Sequence, residues 1–336
     1  MSRQRRVPTP TWERDRGIGG GLSGSRLQIL AAVGATLLVL AAVAAIGIGF
    51  LSNYLQDRNR PNTAALTVGD TVFTVREFTN RSKLYVTQIG GTTNWQLIIP
   101  SVAAQLEEQA ILLQYAGEKN QSATDDEVKA QIASLLGIEV TDANFDQRLA
   151  DELKSSGLTD QQYRDMARTT VLRKKVTDQF QTELPATIES VHYRQITVAD
   201  QATADDLKAQ IEAGGDFAAL ATANSTDTNT KDKGGDAGWV PKGYLNSSID
   251  NLLFSLDLNQ VVTYASTSSV TIYQVTEKDD NRIIDDDKKS TLASQNYQKW
   301  LTDKKSGLTI NNEVDLTTGN SDKLIYVIDH AGLTAQ

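Results

Sequence analysis

The sequence predicts an α+β chain, with a helical domain followed by a small domain of strands and helices and one transmembrane helix in front of both. Three observations carry that expectation. Leu27 to Leu51 holds no charged residue; helix-start signatures of the Thr-x-x-Glu/Gln type fall at Thr74, Thr124 and Thr159; and a strand-like run, Val191 to Val198, precedes helical and turn segments that lead to a second such run, Thr271 to Glu277.

Composition narrows the chemistry. At 336 residues the chain has room for two cores and short tails. Cysteine is absent, so disulfides and thiolate metal sites are excluded, and with only His192 and His330 a histidine-rich zinc site is excluded too. The net charge is −9, yet residues 1–26 carry six arginines against Glu13 and Asp15, which leaves the rest of the chain strongly acidic. Phosphate backbones require clustered Lys or Arg, so nucleic acid is set aside as a partner.

As a helix, Leu27 to Leu51 would extend roughly 37 Å against a hydrocarbon core of about 30 Å. A cleaved signal peptide has an apolar region of about 7–15 residues, so the longer run reads as a retained single-pass anchor. Arg3, Arg5, Arg6, Arg14, Arg16 and Arg26 precede it, and the positive-inside bias then puts residues 1–26 in the cytoplasm and the bulk of the chain outside the cell membrane. Ala41, Ala45 and Gly49 form a small-residue stripe that could pair two anchors into a weak homodimer, although an alanine-rich helix yields such stripes by composition alone. Residues 52–63, polar and containing Pro61, read as a tether.

Folding is expected to start near Ala64, with a hairpin through Gly69-Asp70 and a helix opened by Thr74 to Glu77. Val102, Leu106, Ala110, Leu113 and Ala116 recur at helical spacing, as do Tyr163, Met166, Val171 and Val176, so residues 64–183 read as a helical domain. Asp286 to Ser306 is a further helix, with Ala293, Tyr297, Trp300 and Leu301 on one face. In the tail from residue 307, Leu324 to Ile328 reads as a strand without an assigned role.

Residues 187–280 carry the most specific signal. Val191 to Val198 is followed by Gly215-Asp216-Phe217-Ala-Ala-Leu220-Ala221, then Ser225-Thr-Asp227, then Gly234-Gly235-Asp236-Ala-Gly238. In order and spacing this resembles the parvulin family of prolyl isomerases, a resemblance that implies a small β-α3-β-α-β2 domain. Residues 64–183, with the step Ala116-x-x-x-Asn120-x-x-Ala123-Thr-Asp-Asp-Glu127, resemble the N-terminal domains of SurA-like and PrsA-like extracytoplasmic chaperones, in which a helix after the isomerase returns to the N-terminal bundle.

What the resemblance implies can be put in chemical terms. Rotation about an X-Pro bond meets a barrier of about 18–20 kcal/mol, and the catalyst need only favour the twisted amide over the planar one. No cofactor or metal is implied. The family's proline seat falls on Leu245, Ile249 and Phe254, and its acidic or thiol position on Asp227. Its paired histidines fall on Gln195 and Thr271, side chains that form hydrogen bonds but do not titrate near neutrality. His192 lies on the opposite strand face from Gln195 and cannot take its place. A calcium-loop reading of Asp227 to Asp232 fails at Lys231 and lacks the loop's glycine and closing glutamate. The implied function is an anchored extracytoplasmic foldase that isomerises X-Pro bonds in unfolded or extended exported polypeptides. Two alternatives stay open: a non-catalytic holdase whose degenerate isomerase domain only binds client peptides, and a membrane scaffold with a vestigial groove.

Overall fold

The computed structural model describes residues 41–335, apart from 52, 53, 56, 319 and 320. The chain divides into two compact units, Met1–Thr63 and Ala64–Gln336. In the first, helix α1 covers 41–51, and a 3-10 turn, Arg60–Asn62, ends the unit. Most of the expected anchor, Leu27 to Leu51, lies outside the described residues. Among those described, no helix is long and apolar enough to cross a membrane.

The second unit opens on a hairpin of β1 (Ala64–Val68) and β2 (Thr71–Thr74), turned through Gly69 at φ +57°. Five α-helices follow before the next strand. They are α2 (Val75–Gln88), α3 (Trp95–Tyr115), α4 (Asp125–Leu136), α5 (Phe145–Ser156) and α6 (Asp160–Glu183). Thr124 with Glu127, and Thr159 with Gln162, close reciprocal capping boxes at the starts of α4 and α6. At α2, Thr74 accepts from the Glu77 amide, but the Glu77 side chain turns inward and is buried near Arg81. Tertiary burial has there taken the residue from its local capping role.

A four-stranded antiparallel sheet follows, in the order β4-β3-β6-β5: β3 (Thr187–Val198), β4 (Asp236–Pro241), β5 (Val261–Ala265) and β6 (Val270–Ile283). Helices α7 (Gln201–Glu212) and α8 (Phe217–Asn224) cover one face, packing Leu207, Ile211 and Phe217 on Ile196, Val198 and Ile272. Helix α9 (Ser247–Ser255) covers the other, with Ile249 and Leu253 over Val191, Tyr193, Tyr273 and Val275. The alternation of β3 explains both layers, since successive residues face opposite sides of the sheet.

After the sheet the chain goes back to the helices. In α10 (Asp286–Ser306), Ala293 and Tyr297 are buried against Leu112, Leu172, Val176 and Phe180. The Tyr297 hydroxyl donates to Glu108, whose carboxylate also receives two hydrogen bonds from Arg173.

The tail differs from the sequence expectation. Leu324 to Ile328 is helical, inside α11 (Asp322–Ala331), which Ser321 caps at its start and Gly332 ends at φ +68°. Leu324 and Val327, three apart, face the core, whereas a strand would have aligned Leu324 with Tyr326 and Ile328. β-branched residues suggested a strand, but cap, stop signal and spacing favour a helix. Strand β7 (Ile310–Asn312) pairs with β1, so the tail completes the first sheet and its core with Leu66, Phe78 and Ile98.

This helical assignment sets two substitutions apart. Leu324→Ala is expected to cost about 2–4 kcal/mol through a core cavity, and Ile325→Ala, at a position 45% exposed, to stay within about 0.5 kcal/mol. Urea midpoints of the two variants check this. Equal losses would contradict the helical facing.

Candidate functional site

The site candidates lie on the α9 side of the sheet, because Tyr193, Gln195 and Thr197 alternate along β3, and Thr271, Tyr273 and Val275 along β6, in one register: Gln195 opposite Tyr273 and Thr197 opposite Thr271. Gln195 and Thr271 do not bond to each other. Gln195 Nε2 donates to Asp227 Oδ2 at 2.7 Å, while the hydroxyls of Thr197 and Thr271 share a hydrogen bond at 3.1 Å. Each occupant of the family's histidine positions therefore has its own partner.

Asp227 is held from several directions. Besides Gln195, the Thr230 hydroxyl donates to Oδ2 at 2.5 Å and the Asn229 amide to Oδ1 at 3.1 Å. Burial raises its pKa, but these donors outweigh burial and hold the carboxyl below its ordinary range. The group is ionised through neutral and mildly acidic pH. The loop itself is pinned by Ser225, 1% exposed, whose Oγ accepts from the amides of both Thr197 and Asp227 at 3.2 Å. The turn after it comes close to β3: the Gly235 carbonyl accepts from the Gln195 amide, φ is +81°, and a Cβ there would lie 2.5 Å from the Gln195 carbonyl oxygen. Glycine is required by both the dihedral angle and the space.

The expected apolar seat is only partly assembled. Leu245 is half-buried at the edge of the α9 core, in a turn fixed by Asp250, which accepts from the Gly243 amide at 2.8 Å. Ile249 is only 7% exposed and packs beneath α9, so it supports the surface instead of forming it. Phe254 is half-buried near the other end of the ladder: its ring sits 5.4 Å from Lys242 Nζ, and its carbonyl accepts from Lys278, which pairs with Val191. From Val191 to Gln195 is about 13 Å along the strand. Phe254 is thus not brought to Asp227.

Four tyrosines gather where sequence reasoning named none. Tyr193 and Tyr273 have ring centroids 6.0 Å apart, and Tyr244 and Tyr264 pack at the border of the same cluster. Burial, with the Asp227 charge and neighbouring phenols adding to it, pushes Tyr193 up to about 12. Burial likewise raises Tyr273, against a hydrogen bond with Thr271. Both phenols keep their protons and remain donors. Two-residue alternation from Gln195 and from Thr271 was the signal that could have found Tyr193, Thr197 and Tyr273. His192 lies on the other face, hydrogen-bonded to Thr276 at 2.8 Å and edge-on to Trp239.

The site thus has a pinned acid, amide and hydroxyl donors and a partly exposed leucine on one antiparallel sheet domain. Residues 189–279 match the family model of the PPIC-type PPIASE domain, and residues 26–177 that of the SurA-like N-terminal domain. Among individual proteins, the chain is similar to Foldase protein PrsA of Caldanaerobacter subterraneus subsp. tengcongensis, 30% identical over 162 residues that make up 48% of this chain and 51% of that protein. Foldase protein PrsA of Clostridium acetobutylicum is 30% identical over 199 residues, 56% of this chain and 59% of that one. The chain spans about half the length of the curated relatives it matches. The crystal structure of peptidylprolyl isomerase PrsA from Bacillus anthracis superimposes with a TM-score of 0.39 at 18% identity, covering 69% of this chain and 98% of that one, a score too low to carry weight.

The hydrogen bonds to Asp227 fix the sign of a titration. Its carboxyl midpoint, read by carbon-detected NMR, should lie below the ordinary value of about 3.9 and rise in Gln195→Leu and in Thr230→Val. Because the folded-state value is depressed, the stability it contributes is present above the unfolded-state pKa and is lost as pH falls through the folded one. A wild-type midpoint above the ordinary value would contradict the geometry.

Proposed function

We propose that the chain is a membrane-tethered, extracytoplasmic foldase whose sheet domain is a parvulin-type peptidyl-prolyl cis–trans isomerase acting on extended, exported polypeptides. The observation that carries this reading is the fixed Asp227–Gln195 pair at the edge of a partly exposed apolar surface, in the stretch that matches the isomerase family model. Twisting the X-Pro amide breaks resonance without breaking a bond, so apolar contact with the ring and a preset polar surrounding for the amide are what the catalyst must supply. In this reading Leu245 contacts the proline ring, Ile249 supports it from below, and Phe254 has no direct part. Asp227 and Gln195 steady the peptide on one side, and Thr271, through Thr197 and Tyr273, orders the sheet face behind it. The helical domain holds client segments, and Leu27 to Leu51 anchors the chain with its bulk outside the membrane.

A second reading has one observation in its favour. With Gln195 and Thr271 in place of imidazoles and Ile249 drawn into the core, the surface can grip a peptide while accelerating rotation little, which is a holdase. Protease-coupled isomerisation of an Ala-Pro tetrapeptide separates the two. The full chain should accelerate rotation, and Leu245→Arg should lower kcat/KM at least about tenfold, the equivalent of about 1.4 kcal/mol. Absence of acceleration, together with suppressed aggregation of a denatured client, would establish the holdase. The rate should also be flat between about pH 5.5 and 9, because Asp227 titrates below that window and Tyr193 near 12 above it. A bell centred near neutrality would place a titrating group in the site that this geometry lacks.

A further inference from the structure

The turn that carries Leu245 is held from two sides. The Pro241 carbonyl accepts from the Tyr244 amide at 3.1 Å, across a bend that Gly243 closes at φ +84°. On one side stands Asp250 of α9, 7% exposed, whose carboxylate accepts from the Gly243 amide at 2.8 Å and has the Leu245 amide as a further donor. On the other stands α10. Gln295 Nε2 donates to the Tyr244 carbonyl at 2.9 Å, and the buried Leu292 lies 3.9 Å from the position that a Cβ on Gly243 would take. The peptide unit joining Tyr244 to Leu245 is therefore fixed at its oxygen by α10 and at its nitrogen by α9. Because that unit is planar, the two contacts together set its orientation.

Helix α10 itself is built into the helical domain. Ala293 and Tyr297 are buried there, and the tyrosine hydroxyl donates to the Glu108 carboxylate that Arg173 also holds. Ala293 and Tyr297, four apart, share one row of the helix; Leu292 and Gln295, three apart, share another. One row thus lies in the helical core and the other on the turn beside the proposed site. Leu245 is half-buried, so the turn beneath it governs where its side chain is presented. Tyr244 ties the same turn to the site face, since it packs at the border of the tyrosine cluster and lies close enough to Tyr193 to add to the upward push on that phenol.

We propose that Gln295 is a positioning residue for the proline-contacting surface, through which the helical domain sets the orientation of Leu245. The inference rests on the reading of Leu245 as the side chain that meets the proline ring. Gln295 touches no part of the peptide in that reading; it acts through the Tyr244 carbonyl alone. Its amide supplies the donor that this contact needs, and a carboxylate of the same size would have none to give.

The test uses the full chain in detergent, a fluorescein-labelled hexapeptide with one Ala-Pro bond, and its counterpart with Ala in place of Pro. Gln295→Glu keeps the size of the side chain but sets a carboxylate against the Tyr244 carbonyl. Fluorescence anisotropy should show it binding the Ala-Pro peptide about three- to tenfold more weakly, the effect of one hydrogen bond lost. Gln295→Lys, which keeps a donor, should restore most of the affinity. Gln298→Glu, the same change at an exposed position nearly one turn further along α10, should bind as the wild type does. Urea midpoints should agree across the set, because both positions are exposed, while amide exchange in residues 242–246 should quicken in Gln295→Glu alone. Unaltered affinity and exchange in Gln295→Glu, or equal weakening in Gln298→Glu, would overturn the proposal. Failure of the underlying reading has a different signature. A wild-type chain that does not prefer the Ala-Pro peptide to its Ala-Ala counterpart removes that reading and this inference with it, whereas one that prefers it without accelerating rotation removes the isomerase assignment and leaves the affinity comparison decisive.

Discussion

The long antiparallel ladder between β3 and β6 is the constraint on which the sheet domain depends. Its register runs from Thr187 opposite Ile283 to Val198 opposite Val270, with irregularities near Ser190 and His192. A shift of one residue would turn Tyr193, Gln195 and Thr197 to the side covered by α7 and α8, and Ile196 and Val198 to the side of α9. Burial on both faces forbids that. Ile196 and Ile272 are fully buried on one side and Val275 on the other, so the hydrophobic layers fix which polar side chains meet.

On that platform the polar groups are placed by local chemistry. Ser225 gathers two backbone amides, Asp227 gathers three donors, and Gly235 lets the following turn lie against β3. The carboxylate is immobilised before any ligand arrives, which is the property that electrostatic preorganisation demands. Where the parvulin resemblance implies imidazoles, this chain has Gln195 and Thr271, neutral groups in separate hydrogen bonds. Both side chains can form hydrogen bonds, and neither exchanges a proton near neutrality.

Much of this was legible in the sequence. The motif spacing located the strand–helix–turn order of residues 187–280, and capping boxes located α4 and α6, because those signals act over three or four residues and need no tertiary information. The resemblance to the parvulin family points to Asp227 and Gln195, and in the fold their side chains share a hydrogen bond. What sequence could not supply depended on long-range packing: that Ile249 is covered, that Phe254 sits toward Lys278, and that Thr271 bonds to Thr197. The α11 error has a similar cause. A short apolar run has two readings, and the facing of Leu324 and Val327 is decided by a core built mainly from residues more than two hundred positions earlier.

The first sheet has a temporal consequence. Its middle strand, β1, is flanked by β2 from the same hairpin and by β7, and Lys323 Nζ donates to the Ala64 carbonyl. A ribosome delivers Leu66, Phe73 and Phe78 more than two hundred residues before Val314, Leu324 and Val327, which help to bury them. The inserted sheet domain, whose strands all lie within residues 187–283, has its partners in hand much sooner. Folding can therefore begin at the sheet domain, while the β1–β2 hairpin keeps an open edge until β7 reaches β1.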